Sequence, residues 1–497
     1  MENETVKMVA KNAAFRFLGM IISTVLAFFS SILVARMLGK HYYGILSIAL
    51  LVLSTILTFS DFGVTQTTAY FIPKLKKDKG RLKYFLNKML FIKLLIAVFF
   101  AFIIFIFSGQ IANFFKIDEL DCVLKIFSFV FIPYVIFNYF YSIFQGFENI
   151  KYCMYQDIIH SIAKFIPLIL LVITLDKLIG VSVGYIWLYA LASIFSILFY
   201  SKIYPWKVKE RRIDDKQIKS YAFFTFTFIV LSFITSNSIG LFIGYFRDPS
   251  EVSYFTISQV LANAIAFVPS ALSYAFFPSV SRLLTEKKKK ELHITLNEIV
   301  KYCIIFAIPA SVAMFILSRS IIIFVYGNEF SLADNTLKVM TIVFLIYSST
   351  LWLYPLFGGY GKMKLLSKIK LYLAIITIIS SLIFVPIMGA VGAALVMLIS
   401  EVIFSILGYF KLVRIEKLKV KYGVSVKALL SSILILPILL TIHYYLFGII
   451  ELLAAAFICT PTYLIILYLL GGINKNDIKL LSSTLGIPKL KSFLHID

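Results

Sequence analysis

Apolar runs of about twenty residues recur along the whole 497-residue chain, and they constrain its fold more than any other feature. Short polar segments separate them, and 60% of all residues are hydrophobic, with a mean hydropathy of +0.93. A soluble protein of this length exposes far more polar surface, so lipid must surround most of this chain. The predicted fold is therefore an all-α integral membrane protein.

The length of these runs predicts about fourteen transmembrane helices. The predicted spans are 12–35, 43–63, 89–108, 123–144, 155–175, 180–200, 220–244, 252–280, 302–318, 336–357, 371–388, 389–410, 428–447 and 452–471. No small-residue cleavage site follows the first run, so we expect that run to stay as a membrane helix. An even number of spans puts both termini on the same side of the membrane.

Basic residues mark the cytoplasmic side. Most of the 48 Lys and Arg residues lie near the termini and in alternate connections such as 74–88, 202–219 and 282–293, whereas the opposite loop at 116–121 is acidic. The positive-inside rule therefore predicts a multi-pass protein of the cell membrane with both termini in the cytoplasm. The net charge of +23 is interpreted as topology and attraction to anionic headgroups, and no nucleic-acid partner is expected.

A basic break, "ARMLGKHYYGILSIA", separates the first two spans at residues 35–49. We expect an outer hairpin there, in which Gly39 and Gly44 allow a close turn while Arg36 and Lys40 reach the headgroups. A break of similar shape returns at 246–258.

Other segments recur as well. "YFYSIFQGFENIKY" (139–152) aligns with "WLYPLFGGYGKMKL" (352–365), which predicts two related six-helix bundles, residues 1–210 and 211–420, in parallel orientation. Two extra helices and a cytoplasmic tail would occupy 421–497. Parallel repeats of this kind imply a substrate site between the halves and favour a transporter over a membrane-embedded enzyme.

The segments "VARMLGKHYYGILSIA", "FSDFGVTQTTAYFIPK", "FQGFENIKYCMYQDII", "AFFPSVSRLL" and "FVYGNEFSLADNTLKVM" together resemble the polysaccharide-biosynthesis flippases of the multidrug/oligosaccharidyl-lipid/polysaccharide (MOP) exporter superfamily. The resemblance runs over essentially the whole chain, with the segments in order. It implies a fourteen-helix flippase that moves a prenyl-phosphate- or diphosphate-linked oligosaccharide across the membrane by alternating access. One departure is that the segment before Gly244, "SNSIGLFIG", lacks the acidic residue that many relatives carry there.

The implied partners are a lipid-linked oligosaccharide and membrane lipids, together with glycosyltransferases or a polymerase of the same pathway. Two alternatives stay open at this point. A cation-coupled multidrug exporter of the same superfamily would favour an anionic interior, and a membrane-embedded glycan-assembly enzyme would need a large outer loop. No nucleotide-binding or hydrolase motif is present, so we predict no enzymatic activity. The four scattered cysteines show no metal-site or disulfide spacing, so no metal or cofactor is expected.

The fifth span carries the sharpest candidate site. Asp157, His160, Ser161 and Lys164 share one helical face, and Lys164 lies about 15 Å from the cytoplasmic end of the span. Charges within spans normally face the bundle interior, so Lys164 and His160 are candidate phosphate- and sugar-binding residues. A structural Asp157–Lys164 pair is the alternative.

Other candidates are more dispersed. Arg16 in the first span is suited to phosphate by its forked guanidinium, or it reaches cytoplasmic headgroups. Gln259 and Asn263 in the eighth span are candidates for binding sugar hydroxyls.

The acidic residues within the spans suggest how transport could be coupled to an ion. Glu401 is the deep carboxylate of the twelfth span and, with Asp157, a candidate for ion coupling, although a neutral buried Glu401 is the alternative. Lys93 and Lys125 lie near span ends, and we expect both to extend to the membrane surface.

Overall fold

The fold is described from a computed structural model, which covers the backbone of residues 2–174, 176–203, 208–212, 216–414, 416–474 and 477. The side chains of 2–18, 20, 166–168, 170–174, 203, 216, 275 and 278 lie outside the description. Within the described ranges the chain forms helices and turns and no strand. Contacts divide it into two compact units, residues 1–260 with 367–400, and residues 261–366 with 401–497.

The first unit contains the N-terminal helices. They are α1 (Glu2–Ser60), α2 (Val64–Leu75), α3 (Lys79–Phe115), α4 (Glu119–Ser128), α5 (Phe131–Gly146), α6 (Ile150–Thr174), α7 (Lys177–Ile203), α8 (Lys216–Ser236), α9 (Ser238–Phe246) and α10 (Pro249–Ala262). Its core includes the buried side chains of Phe85, Tyr139 and Phe144. The opposite face of α3 exposes Phe91, Leu95 and other large apolar residues, as a lipid-facing helix does.

The second unit continues from Leu261. Its helices are α11 (Phe267–Thr285), α12 (Lys289–Ile316), α13 (Ser318–Tyr326), α14 (Asp334–Thr350), α15 (Leu353–Gly359), α17 (Gly423–Tyr445), α18 (Gly448–Ala454) and α19 (Thr460–Leu469). Short 3₁₀ turns lie at Asn263–Ala266 and Asn328–Ala333, and π turns at Tyr409–Arg414 and Ala455–Cys459. The long helix α16 (Met363–Gly408) contributes residues 367–400 to the first unit and its two ends to the second.

The helices have the length and composition of membrane spans. In the described part of the chain ten helices are long and apolar enough to cross a membrane, or eleven if the bent pair α4 and α5 forms one span. The all-α membrane fold is thus confirmed. The number fourteen stays a prediction, because the spans predicted at 12–35 and 43–63 both lie on α1, those at 371–388 and 389–410 lie on α16, and each of these long elements is counted once.

A glycine kink divides each of these two long elements into two helical segments. Gly39 in α1 (φ 72°, ψ 171°) and Gly389 in α16 (φ 54°, ψ −128°) have backbone angles that are not helical. A positive φ strains other residues, so glycine suits both kinks. The prediction that Gly44 serves the turn at 35–49 was wrong, because Gly44 lies within the helix and is needed for a close contact.

That contact joins the two breaks in the sequence, at 35–49 and 246–258. A Cβ on Gly44 would lie 1.9 Å from the carbonyl oxygen of Pro249, so only glycine lets α1 approach the start of α10. Ser253 Oγ donates a hydrogen bond to the carbonyl of Lys40, next to the kink at Gly39.

The same segment also holds the second kink. Arg247 Nη2 donates to the carbonyl of Ile387 over 2.7 Å, and Glu251 Oε2 accepts from the backbone N–H of Ala390 over 2.9 Å. Residues 247–253, which we call the clasp, therefore bind on either side of Gly389 as well as beside Gly39.

Candidate functional site

The polar face of α6 is the starting point for the site. This helix packs on α1, α5 and α7 within the first unit. At Gly19 the approach of α1 is so close that a Cβ would lie 2.9 Å from the Cγ of Met154. Arg16 lies on α1, one turn before Gly19, but its side chain is outside the described residues.

His160 lies between two aromatic rings. Phe137 of α5 stacks on the imidazole at 5.3 Å between ring centroids, and Tyr189 of α7 contacts it at 5.2 Å. The Nε2 atom of His160 is buried and has no hydrogen-bond partner among the described residues. A buried polar atom left in this state is costly unless water or a ligand satisfies it.

Lys164 follows one helical turn later and is half-buried. Its charge acts on His160, and among the described residues no carboxylate forms a salt bridge with it. Asp157, two turns away on the same helix, instead accepts a hydrogen bond from the hydroxyl of Tyr141 over 3.3 Å. The alternative of a direct Asp157–Lys164 pair is therefore not found. Ser161 turns back to donate to the Asp157 carbonyl.

A buried ion pair lies at the break between α1 and α2. Lys93 Nζ of α3 is 2.8 Å from Asp61 Oδ1, and the two side chains are 5% and 18% exposed. Thr65 bridges them, because its hydroxyl accepts from Lys93 over 2.5 Å and donates to Asp61. The prediction that Lys93 extends to the membrane surface was wrong, since the carboxylate of Asp61 in the turn between α1 and α2 retains it inside the bundle. Lys125, by contrast, is 47% exposed and pairs with Asp121 on its own helix.

Two tyrosines lie beside the polar face of α6. The charge of Asp61 acts on the phenol of Tyr134 in α5. The Tyr134 ring in turn meets the ring of Tyr189 edge-on, with 5.0 Å between their centroids. Both tyrosines are half-buried, and Tyr189 also contacts His160. Tyr134, Tyr189, His160 and Lys164 thus form one contiguous group, which we call the polar arc.

Sequence reasoning missed the two tyrosines of the arc. Tyrosine is enriched at the ends of membrane spans, where its hydroxyl reaches water. Tyr134 and Tyr189 instead lie in the middle of the predicted spans 123–144 and 180–200. That unusual depth was the available signal.

The remaining predicted residues belong to other helices and turns. Gln259 is half-buried in α10, where its amide lies 3.9 Å from the sulfur of Met397. Asn263 has an exposed side chain and begins the 3₁₀ turn after α10, so regular helical spacing from Gln259 is not maintained. Glu401 belongs to the second unit, and its charge acts on the phenols of Tyr347 and Tyr354. No metal-ligand group of three or more His, Cys, Asp or Glu occurs within the described residues.

Comparison with solved structures places the fold among flippases and exporters. The structure of the lipid II flippase MurJ in an inward closed conformation is similar to this chain, with a TM-score of 0.76 and 19% identity over 90% of this chain and 97% of that one. An inward-facing multidrug resistance MATE family transporter of the MOP superfamily has a TM-score of 0.62 and 14% identity, covering 82% of this chain and 99% of that one.

Sequence comparison identifies relatives in archaea and bacteria. An uncharacterised membrane protein of Methanocaldococcus jannaschii is 22% identical over 80% of this chain and 81% of its own length. An uncharacterised membrane protein in the cps region of Klebsiella pneumoniae is also 22% identical, over 78% of this chain and 79% of its own length.

Family profiles give the assignment. The MatE profile matches residues 222–387, and the profile described as polysaccharide biosynthesis protein matches residues 9–284, more than half of the chain. The chain is therefore a multi-pass membrane protein that belongs to the polysaccharide biosynthesis protein family.

Proposed function

We propose that this protein is a flippase that translocates a prenyl-phosphate- or diphosphate-linked oligosaccharide across the cytoplasmic membrane by alternating access. The product would supply the assembly of a cell-surface polysaccharide or a glycoprotein glycan. The observation that carries the proposal is Lys164, a half-buried cation within a membrane helix that has no carboxylate partner among the described residues.

An isolated ammonium is costly in a low-dielectric interior, and so is the phosphate of a lipid-linked sugar that crosses the same space. Pairing the two relieves both penalties, because their attraction strengthens as the dielectric constant falls. His160, one turn from Lys164, supplies a neutral hydrogen-bonding group beside the cation. Arg16 would meet the phosphate nearer the cytoplasm, and Gln259 and Asn263 are proposed to bind sugar hydroxyls farther along the path.

A cation-coupled multidrug exporter is the second candidate, since several solved structures of similar fold are multidrug transporters. A cationic drug would be repelled by Lys164, so the charge of the arc favours an anionic substrate. The name of the solved lipid II flippase supports a lipid-linked substrate for this fold. A glycan-assembly enzyme, the candidate from another class, has no observation in its favour.

The proposal includes the topology and internal symmetry predicted from the sequence. Both termini and the basic loops would face the cytoplasm, and the clasp would lie at the outer end of the bundle. Residues 1–210 and 211–420 would be the two related halves, and Glu401 or Asp157 would couple transport to an ion.

Complementation tests the function. In a strain that lacks its own flippase, Lys164→Ala and Arg16→Ala should strongly impair glycan export, Lys164→Arg should retain part of it, and Lys164→Glu should abolish it. Lys125→Ala is the matched control, because that lysine is exposed and outside the arc. A Lys164→Glu variant that reaches the membrane at normal levels and exports at the wild-type rate would refute phosphate binding by Lys164.

A further inference from the structure

Tyr189 brings a phenol hydroxyl to the middle of a predicted span in the first unit. Its ring contacts Tyr134 on one side and His160 on another, yet the residue remains half-buried at mid-span. Its hydroxyl makes no hydrogen bond to any residue that the structure describes. The hydroxyl of a buried tyrosine usually has a hydrogen-bond partner. Lipid and apolar side chains cannot serve as that partner.

A buried polar atom without a described partner lies beside it. His160 Nε2 is buried without a described partner, and its ring is held in place by Phe137 and Tyr189. Two neutral hydrogen-bonding atoms on two helices thus lie next to aromatic surface. Sites with a few fixed polar groups among aromatic side chains are typical of small polar ligands.

The positive charge of Lys164 indicates which chemical class of ligand would bind beside His160. Lys164 lies one turn beyond His160, about 6 Å along the helix axis at the helical rise. The ligand must therefore have neutral hydroxyls directly beside an anionic group. The sugar that is bonded to the phosphate of a lipid-linked glycan has this arrangement, because its ring adjoins the phosphate.

We propose that Tyr189 and His160, supported by Tyr134, form the binding site for the first sugar of the substrate, while Lys164 binds the adjoining phosphate. This inference rests on the proposed function and adds a specificity site to it. Discrimination among substrates would then depend on the first sugar, since a site built to hydrogen-bond hydroxyls rejects a ligand that lacks them.

Binding to the purified full-length protein separates the two contributions. The probes are farnesyl diphosphate and three forms of it that carry one glucose, galactose or N-acetylglucosamine, with Kd measured by native mass spectrometry. We expect at least one sugar-bearing probe to bind the wild-type protein more tightly than farnesyl diphosphate. Tyr189→Phe should raise the Kd of that probe about tenfold, the loss of one buried hydrogen bond, and leave the Kd of farnesyl diphosphate unchanged.

Two variants serve as references. Lys164→Ala should raise the Kd of all four probes, because each carries the diphosphate. Tyr200→Phe removes a hydroxyl from the same helix, α7, where Tyr200 packs on Phe140 outside the arc, and should change no Kd. Phe is nearly isosteric with Tyr, and a thermal melt of each variant verifies that the fold is retained.

The outcomes distinguish the two proposals. The sugar site is wrong if the wild-type protein binds farnesyl diphosphate but no attached sugar lowers the Kd. It is also wrong if Tyr189→Phe changes the Kd of all probes equally, or of none. In either case the flippase proposal stands. If the wild-type protein binds none of the four probes, the proposed function fails, and the sugar site with it.

Discussion

Asp61 holds the ammonium of Lys93 at 2.8 Å between two helices of the first unit, with Thr65 bonded to both. Neither side chain is accessible enough for water to replace its partner. Removing one member of such a pair leaves an uncompensated buried charge, whereas replacing both by neutral groups of similar size is often harmless.

We therefore predict that Asp61→Asn and Lys93→Met each lower the free energy of unfolding by about 3–5 kcal/mol, and that the double variant recovers most of this loss. Thermal unfolding in detergent micelles compares the stability of the three variants with that of the wild type. The pair Glu286 and Lys288, 41% and 51% exposed, is the control, and its neutral double variant should change stability by less than about 1 kcal/mol. A double variant as unstable as either single one would contradict the prediction.

Glu401 yields a prediction about energy coupling. If its carboxylate carries a proton or sodium ion, Glu401→Gln should fold normally and lose transport driven by an imposed gradient in proteoliposomes. Glu329→Gln, at an exposed site, is the control. Gradient-driven transport at the wild-type rate in Glu401→Gln would return this residue to a structural role.

Topology can be tested without substrate. Single cysteines placed in 76–83 and 287–290 should react with a membrane-impermeant maleimide only from the cytoplasmic side, because these loops are rich in lysine. A cysteine in the acidic loop 116–121 should react only from outside. Cytoplasmic labelling at 116–121 would reverse the proposed orientation.

Gly44 should be intolerant of any side chain. Gly44→Ala places a Cβ against the Pro249 carbonyl and should destabilise the protein by about 1–3 kcal/mol, the usual cost of overpacking. Gly423→Ala is the matched control, since a Cβ there meets no atom within 4 Å. The measurement is again thermal unfolding, and equal melting temperatures for the two variants would disprove a close contact at Gly44.

Sequence periodicity predicted the features that depend on one helix at a time. Hydropathy located the membrane helices, and the spacing of His160 and Lys164 placed both on one face of α6. Contacts between residues far apart in the sequence were missed, because they leave no local sequence pattern. The pairing of Lys93 with Asp61 is one of these contacts, so the exposure of Lys93 was predicted wrongly. Tyr189 was overlooked in the same way, because its neighbours come from α5 and α6.

The roles of the two glycines at 39 and 44 could also be predicted only in part from the sequence. A glycine in a basic break suggests a turn, and Gly39 does supply a kink. Whether a second glycine nearby bends the chain or makes room for another helix depends on what packs against it. Gly44 makes room for Pro249, a residue far away in the sequence.

The clasp has a consequence for how the sequence can diverge. Within the described part of the chain, the side chains of Arg247, Glu251 and Ser253 form hydrogen bonds only with main-chain atoms of the two kinked helices, at residues 40, 387 and 390. Every amino acid offers the same carbonyl, and every one but proline the same N–H. Partner positions 40 and 387, which are not buried, are therefore free to drift, whereas the three clasp side chains are not. We expect a saturation mutagenesis scan to show this asymmetry, with broad tolerance at 40 and 387 and narrow tolerance at 247, 251 and 253. Position 390 should reject proline and also large side chains, because Ala390 is 1% exposed.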